Sequence, residues 1–332
     1  MHQYQDKGTC RAHLPFIGKC TSLFFIISLI FLCTFSVKGY SARQETVLIV
    51  SSKTTGAYAT VIDEIRQKVS NPRIQIRVVA ADAFSKSQMT VSGQRVKLVV
   101  TIGTSAARQV QGQDSQVPVL NTLIPRETYN LIRGISGTQS VPDPKHSVIF
   151  IDQPFSRQIR LVRIALPKFK RVGVILGPHS RKLKKDVQHA GRLGGANLFI
   201  EEVNSEKELA SSLSKLLDSV DIVLAVPDKR VFNRRTARNL LLISYRQKVP
   251  LMGYSKAYVN AGALLAVYST PKELGQHIAE TILLTATARR WRLPPAQFPR
   301  YYSVAVNKRV ARSLGIYIDS ESVLEKKLGS GG

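Results

Sequence analysis

"KLVVTIGTSAARQV" runs from Lys97 to Val110. Leu98 to Ile102 form an apolar, β-branched run with no alternation, the pattern of a strand covered on both faces. Gly103, Thr104 and Ser105 interrupt it, and from Ala106 the chain reads as helix. A buried strand that passes through a small polar turn straight into a helix is the building unit of a parallel sheet.

The same unit recurs on either side. Upstream are the apolar run "TVLIV" (46–50), the helix "AYATVIDEIRQKV" (57–69) and "RIQIRVV" (73–79), whose alternation predicts a strand near an edge. Downstream is "VPVLNTL" (117–123), then the irregular, Gly-, Pro- and Ser-rich 124–146, then the strand "SVIFID" (147–152). The pattern restarts with helix 154–166, strand 171–176, helix 180–193, strand 197–203, helix 205–217, strand 221–226, helix 233–247 and strand 249–254. The two halves echo each other, since in each a strand, a polar turn and a helix lead to Val-Pro opening the next strand, at Val117 and at Val249. The predicted fold is α/β, with two doubly wound parallel-sheet lobes joined by a hinge. The expected division is 45–147 plus 262–290 for lobe I and 148–261 plus 291–320 for lobe II, with 321–332 as a flexible tail.

The first forty residues differ. Lys7, Arg11 and Lys19 precede an uncharged apolar stretch, Cys20 to Val37, and then Lys38, Gly39, Tyr40, Ser41 and Ala42. Basic, apolar, then small residues is the order of a secretory signal peptide, here 1–41. If retained, the stretch is long enough to act as an anchor. The three cysteines, Cys10, Cys20 and Cys33, all fall in this leader, so the rest of the chain has neither disulfide nor thiolate chemistry. The net charge is +26 over 332 residues, in clusters spread along the sequence. Scattered clusters on an exported chain read as a solvated basic surface, and no nucleic-acid partner is expected.

Ligands of open parallel sheets bind beyond the carboxyl ends of the strands. That rule selects the turns holding Ser52, Lys53 and Thr54; Gly103, Thr104 and Ser105; His179 and Ser180; Asp228; and Tyr254 and Ser255. A helix start such as 103–105 offers free amide N–H groups and partial positive charge to a carboxylate or phosphate. Gly-x-Ser-x-Gly, P-loop and Gly-x-Gly-x-x-Gly patterns are absent from the sequence. None of His146, His179, His189 and His277 has a His, Asp or Glu at metal-ligand spacing within a recognised motif. No catalytic set, cofactor or metal is therefore expected.

"LVVTIGTSAA", "LPKFKRVGVILGPHS", "VDIVLAVPDKRVF", "KVPLMGYSKAYVNAGALLAVYSTPKELGQHIAETI" and "VNKRVARSLGI", in that order, resemble the periplasmic substrate-binding proteins of ABC transporters, of the type I two-lobe fold. The resemblance covers about residues 46–318. It implies a hinged clamshell closing on a small anionic or zwitterionic, amino-acid-like solute, with the carboxylate at Gly103–Ser105 and the turns of Asp228 and Tyr254 contributing from the other lobe. It further implies a periplasmic monomer that delivers its solute to a transporter permease, or, with the leader retained, a sensory module. Gly177-Pro178-His179-Ser180 departs from the family's usual Asn-Pro-Ser turn, and Lys229, Arg230 and Val231 replace its small polar segment.

Overall fold

The computed structural model describes residues 44–91, 94–112, 117–135, 145–228, 230–231, 234–287 and 291–329; the leader with its cysteines, and Lys229, lie outside them. Two sheets organise these residues. The first has the order β2-β1-β5-β6-β7, all parallel, with β1 (Glu45–Ser51), β2 (Ile74–Ala80), β5 (Leu98–Ile102), β6 (Val119–Ile124) and β7 (His146–Phe150). A two-strand hairpin, β3 (Thr90–Val91) and β4 (Gln94–Arg95), stands apart. The edge placement of β2 fits its alternating sequence, while all of β5 is buried. Helices α1 (Ala57–Lys68), α2 (Thr104–Gln111) and α3 (Arg126–Arg133) connect the strands.

The second sheet has the order β13-β12-β11-β10-β8-β9: β8 (Arg171–Leu176), β9 (Asn197–Glu202), β10 (Ile222–Leu224), β11 (Leu251–Gly253), β12 (Leu265–Tyr268) and β13 (Ser303–Val306). It is parallel except for β12–β13. Its helices are α4 (Phe155–Ala165), α5 (Lys184–Gly194), α6 (Glu206–Leu217), α7 (Arg234–Arg246) and α8 (Lys256–Ala261). The echo between the halves is literal at the backbone: Val99 N–H donates to Pro118 O at 2.9 Å, and Val223 N–H to Pro250 O at 3.0 Å. A proline opening the strand still offers its carbonyl to the neighbouring strand, so the missing N–H costs nothing there.

Helix α9 (Pro271–Thr287) follows β12 yet buries Ile278, Ala279 and Ile282 in the first lobe's core, with Val61, Ile62 and Ile65 of α1. Its start is a reciprocal capping box: Glu273 N–H donates to Thr270 Oγ1, and Thr270 N–H to Glu273 Oε2 at 2.6 Å. Residue 297 then adds to the β7 edge, where Gln297 N–H donates to Val148 O and Phe150 N–H to Gln297 O.

These pairings place three segments differently from expectation. The strand 147–152 pairs with β6, so it belongs to the first sheet and not to lobe II. The strand at 265–268 pairs with β11, so it belongs to the second sheet and not to lobe I. Within the expected tail, α11 (Glu321–Gly329) buries Leu324 and Leu328 in the second lobe's core. A pair of leucines at i and i+4 is the signal that marks it. Preceded by α10 (Lys308–Ser313), α11 also covers the edge of β13, where Val304 N–H donates to Glu325 Oε1 at 2.7 Å and Val306 N–H to Glu321 Oε1 at 2.8 Å.

The chain thus passes between lobes three times, near 151–154, 269–270 and 299–301. One network ties the passages together. Gln153, 7% exposed, donates from Nε2 to Ser269 Oγ (2.8 Å) and accepts from Arg157 Nη1 (2.6 Å). Ser269 Oγ donates to Tyr301 O, and Arg157 Nη1 also donates to Pro299 O. Gln153→Ala is expected to loosen the hinge and to cost about 1–3 kcal/mol, because the half-buried Ser269 hydroxyl loses its donor and the Arg157 guanidinium one of its acceptors. Urea denaturation would read the cost, and small-angle scattering the wider spread of lobe angles.

Candidate functional site

The turns singled out by topology form three separate groups. In the first, Ser51 Oγ donates to Lys53 O, and the Lys53 and Thr54 side chains are exposed. Ser52 Oγ accepts from Ala106 N–H at 2.9 Å, so a residue at the end of β1 caps α2. Gly103 sits at φ 92°, and a Cβ there would lie 2.7 Å from Tyr58 Cε1 and 2.8 Å from Ser52 Oγ. Glycine is required twice over, for the dihedral and for the contact. Gly103→Ala should cost about 2–4 kcal/mol of stability in thermal or urea unfolding. The Thr104 and Ser105 amides, at the first two positions of α2, donate no hydrogen bond among the described residues.

In the second group, the carboxylate of Asp228, 4% exposed, is fully taken up by its own lobe. Its Oδ2 accepts from His179 N–H (3.0 Å), Ser180 N–H (2.9 Å) and Ser180 Oγ (2.9 Å), and its Oδ1 from Arg230 N–H (2.9 Å). Ser180 Oγ also accepts from Gly177 N–H, and Ser180 has no exposed surface. A Cβ on Gly177 would fall 2.3 Å from Val231 Cγ2 and 2.6 Å from Asp228 Oδ2. Two polar strand ends are thereby fastened to each other, and the His179 side chain is left exposed.

The third group, Tyr254 and Ser255, opens on a cavity of about 610 Å³. Ser255 Oγ caps α8 by accepting from Tyr258 N–H, and the Tyr254 ring packs 4.9 Å from that of Tyr258. Burial pushes the Tyr254 hydroxyl's pKa up. Ser52, Lys53, Thr54, Gly103, Thr104, Ser105, His179, Ser180 and Asp228 do not line this cavity.

Residues from both lobes do. Pro125, Arg126 and Glu127 come from the start of α3, and Ile151 and Asp152 from the end of the first sheet. Gln158 comes from α4, Asp186 and His189 from α5, and Tyr268 and Ser269 from the second passage. A bulge delivers α3: Leu123 has φ 54° and the β6–β7 register shifts between Thr122 and Ile124. Ion pairs cross the gap, Arg126 Nη1 to Asp186 Oδ2 at 2.7 Å and Lys182 Nζ to Glu127 Oε2 at 2.8 Å. Asp152 Oδ2 accepts from Arg126 N–H at 2.6 Å. Burial lifts the Asp152 carboxyl from 3.8 to about 6, against the opposing pull of that N–H and of the Arg126 guanidinium.

None of Arg126, Glu127, Asp152, Gln158, Asp186 or His189 is among the expected site residues. The available signal was the spacing of Asp186, His189, Ala190 and Leu193 at i, i+3, i+4 and i+7, a mixed polar stripe on one helix face.

A two-lobe α/β body, crossed three times by its chain and hollow at the crossing, is the architecture of a solute-binding clamshell. The chain belongs to the ABC transporter substrate binding protein family, whose model matches residues 81–327. Solved structures share the fold. An ABC domain in complex with L-Trp from Streptococcus pneumoniae is 17% identical, with 85% of this chain and 98% of that one aligned at a TM-score of 0.54. A ligand-free, open substrate binding protein with adhesive properties from Clostridium difficile is 16% identical, with 83% and 96% aligned at 0.65. A periplasmic ribose ABC transporter protein from Conexibacter woesei is 11% identical, with 85% and 97% aligned at 0.51. No curated protein matches the chain in sequence. Among the described residues no helix is long and apolar enough to cross a membrane.

Proposed function

We propose that this protein captures a small, amino-acid-like solute outside the cytoplasm and presents it to an ABC transporter permease. The observation that carries the reading is the cavity lined from both lobes at the hinge. A solute there touches both lobes only when they approach, so it favours the closed form. The volume lies within the 300–1,000 Å³ usual for small-ligand sites. The amino-acid-like character is supported by the cavity's own lining, which offers carboxyl and amide acceptors beside aromatic rings. The L-Trp bound by the pneumococcal relative agrees with such a solute. The described body has the features of a binding protein, with Asp228 and Ser180 serving as internal fasteners and not as reacting groups.

Small-molecule mass spectrometry of the exported, gently purified protein should recover a bound solute. Removing and restoring that solute should change the radius of gyration measured by small-angle scattering. A protein that yields no solute, and shows no calorimetric response to amino acids, would lose this assignment.

A further inference from the structure

The cavity's charge is opposite to that of the rest of the molecule. In a chain of net charge +26, the cavity's lining carries three carboxyl groups, Glu127, Asp152 and Asp186, against one guanidinium, that of Arg126. Arg126 is engaged by Asp186, and Lys182 reaches only one oxygen of Glu127, Oε2. Glu127 Oε1 accepts no hydrogen bond among the described residues. Neither does Oε1 of Gln158, a side chain 4% exposed whose Nε2 is already committed to Gln153 O at 2.8 Å. The third buried atom of this kind in the lining, Asp186 Oδ2, is again an acceptor; Arg126 lies 2.7 Å from it without hydrogen-bond alignment.

A buried acceptor without a donor costs free energy that a bound donor returns. The rings of Phe155, Tyr254, Tyr268 and Phe298 complete the wall, and aromatic faces attract cations. An anionic group would meet these carboxyls with like charge. A polyol could fill the acceptors but would leave the carboxyl charge of Asp152 uncompensated. We infer that the hinge cavity receives the protonated amine of the solute, held by Glu127 Oε1, Asp152 and Gln158 Oε1 within an aromatic wall. This deepens the proposed function and rests on it.

The test separates the two. The protein, purified after export, is titrated calorimetrically with tyramine, an aryl amine lacking a carboxylate, with 3-(4-hydroxyphenyl)propionate, a carboxylate lacking the amine, with L-tyrosine and with myo-inositol. Tyramine is expected to bind at least about tenfold more tightly than the propionate. Asp152→Asn and Glu127→Gln should each weaken tyramine binding about fivefold to tenfold. Lys182→Met, which frees Glu127 from its cross-lobe partner, should strengthen it. A merely structural latch would make Glu127→Gln and Lys182→Met act in the same direction, and that result overturns the inference. So does tighter binding of the propionate or of inositol, in which case solute capture stands and the amine does not. Silence from the whole panel, with no lobe closure, removes both.

Discussion

Asp228→Ala is expected to destabilise the protein by about 3–5 kcal/mol, because several donors lose their shared acceptor at once. The substitution strands four donors at once: the amides of His179, Ser180 and Arg230, and the Ser180 hydroxyl. Ser180 has no contact with solvent, so water cannot replace the lost acceptor without opening the turn. Asn at this position should retain part of the stability, because its amide oxygen still accepts while its NH₂ faces donors. The urea midpoint is the decisive measurement. If the midpoint is unchanged and only solute affinity falls, Asp228 is a ligand-contacting group and the fastening role is wrong.

Asp152→Asn should act in the opposite direction. A carboxyl lifted from 3.8 to about 6 carries a penalty of roughly 3 kcal/mol when ionised, at 1.36 kcal/mol per pH unit. The folded-state pKa lies above the unfolded one, so the folded protein binds this proton more tightly. The favourable contribution is therefore complete below about pH 4, is lost as pH rises through about 6, and is absent at pH 8. Asn keeps an acceptor for the Arg126 amide and carries no charge. At pH 8 the variant should be more stable by roughly 2–3 kcal/mol, or several degrees in Tm. Between pH 4 and 7 its stability should lack the downward slope of the parent. A variant less stable than the parent at pH 8 would refute the burial argument. Gaining stability while weakening amine capture is the exchange expected of a group kept for binding.

The lobes were legible in the sequence because burial on both faces leaves unbroken apolar runs, as at 98–102 and 171–176, and because Val-Pro recurs at matching places. Membership of the strands at 147–152 and 265–268 was not legible. Both are apolar runs next to a passage between lobes, and only the partner strand decides which sheet takes them. Of the site residues selected by the strand-end rule, only Tyr254 and Ser255 line the hinge cavity. Strand-end turns drew attention to Ser52, Ser180 and Asp228, whose polar atoms turn out to bind backbone and one another. The cavity instead draws on Glu127 within a stretch that reads as loop, and on Asp186 along a helix face that reads as surface. Short helices after a proline, such as Arg126–Arg133, leave too few turns for periodicity to register.

The glutamates of the last helix, Glu321 and Glu325, occupy the outward amides of β13. They act as a built-in stopper against any extended peptide seeking to lengthen the sheet. A protease cut in the short stretch ahead of Glu321 would pull that stopper out. The clipped molecules should then join side by side into chains, a failure visible in light scattering well before the clamshell itself lets go of its cargo.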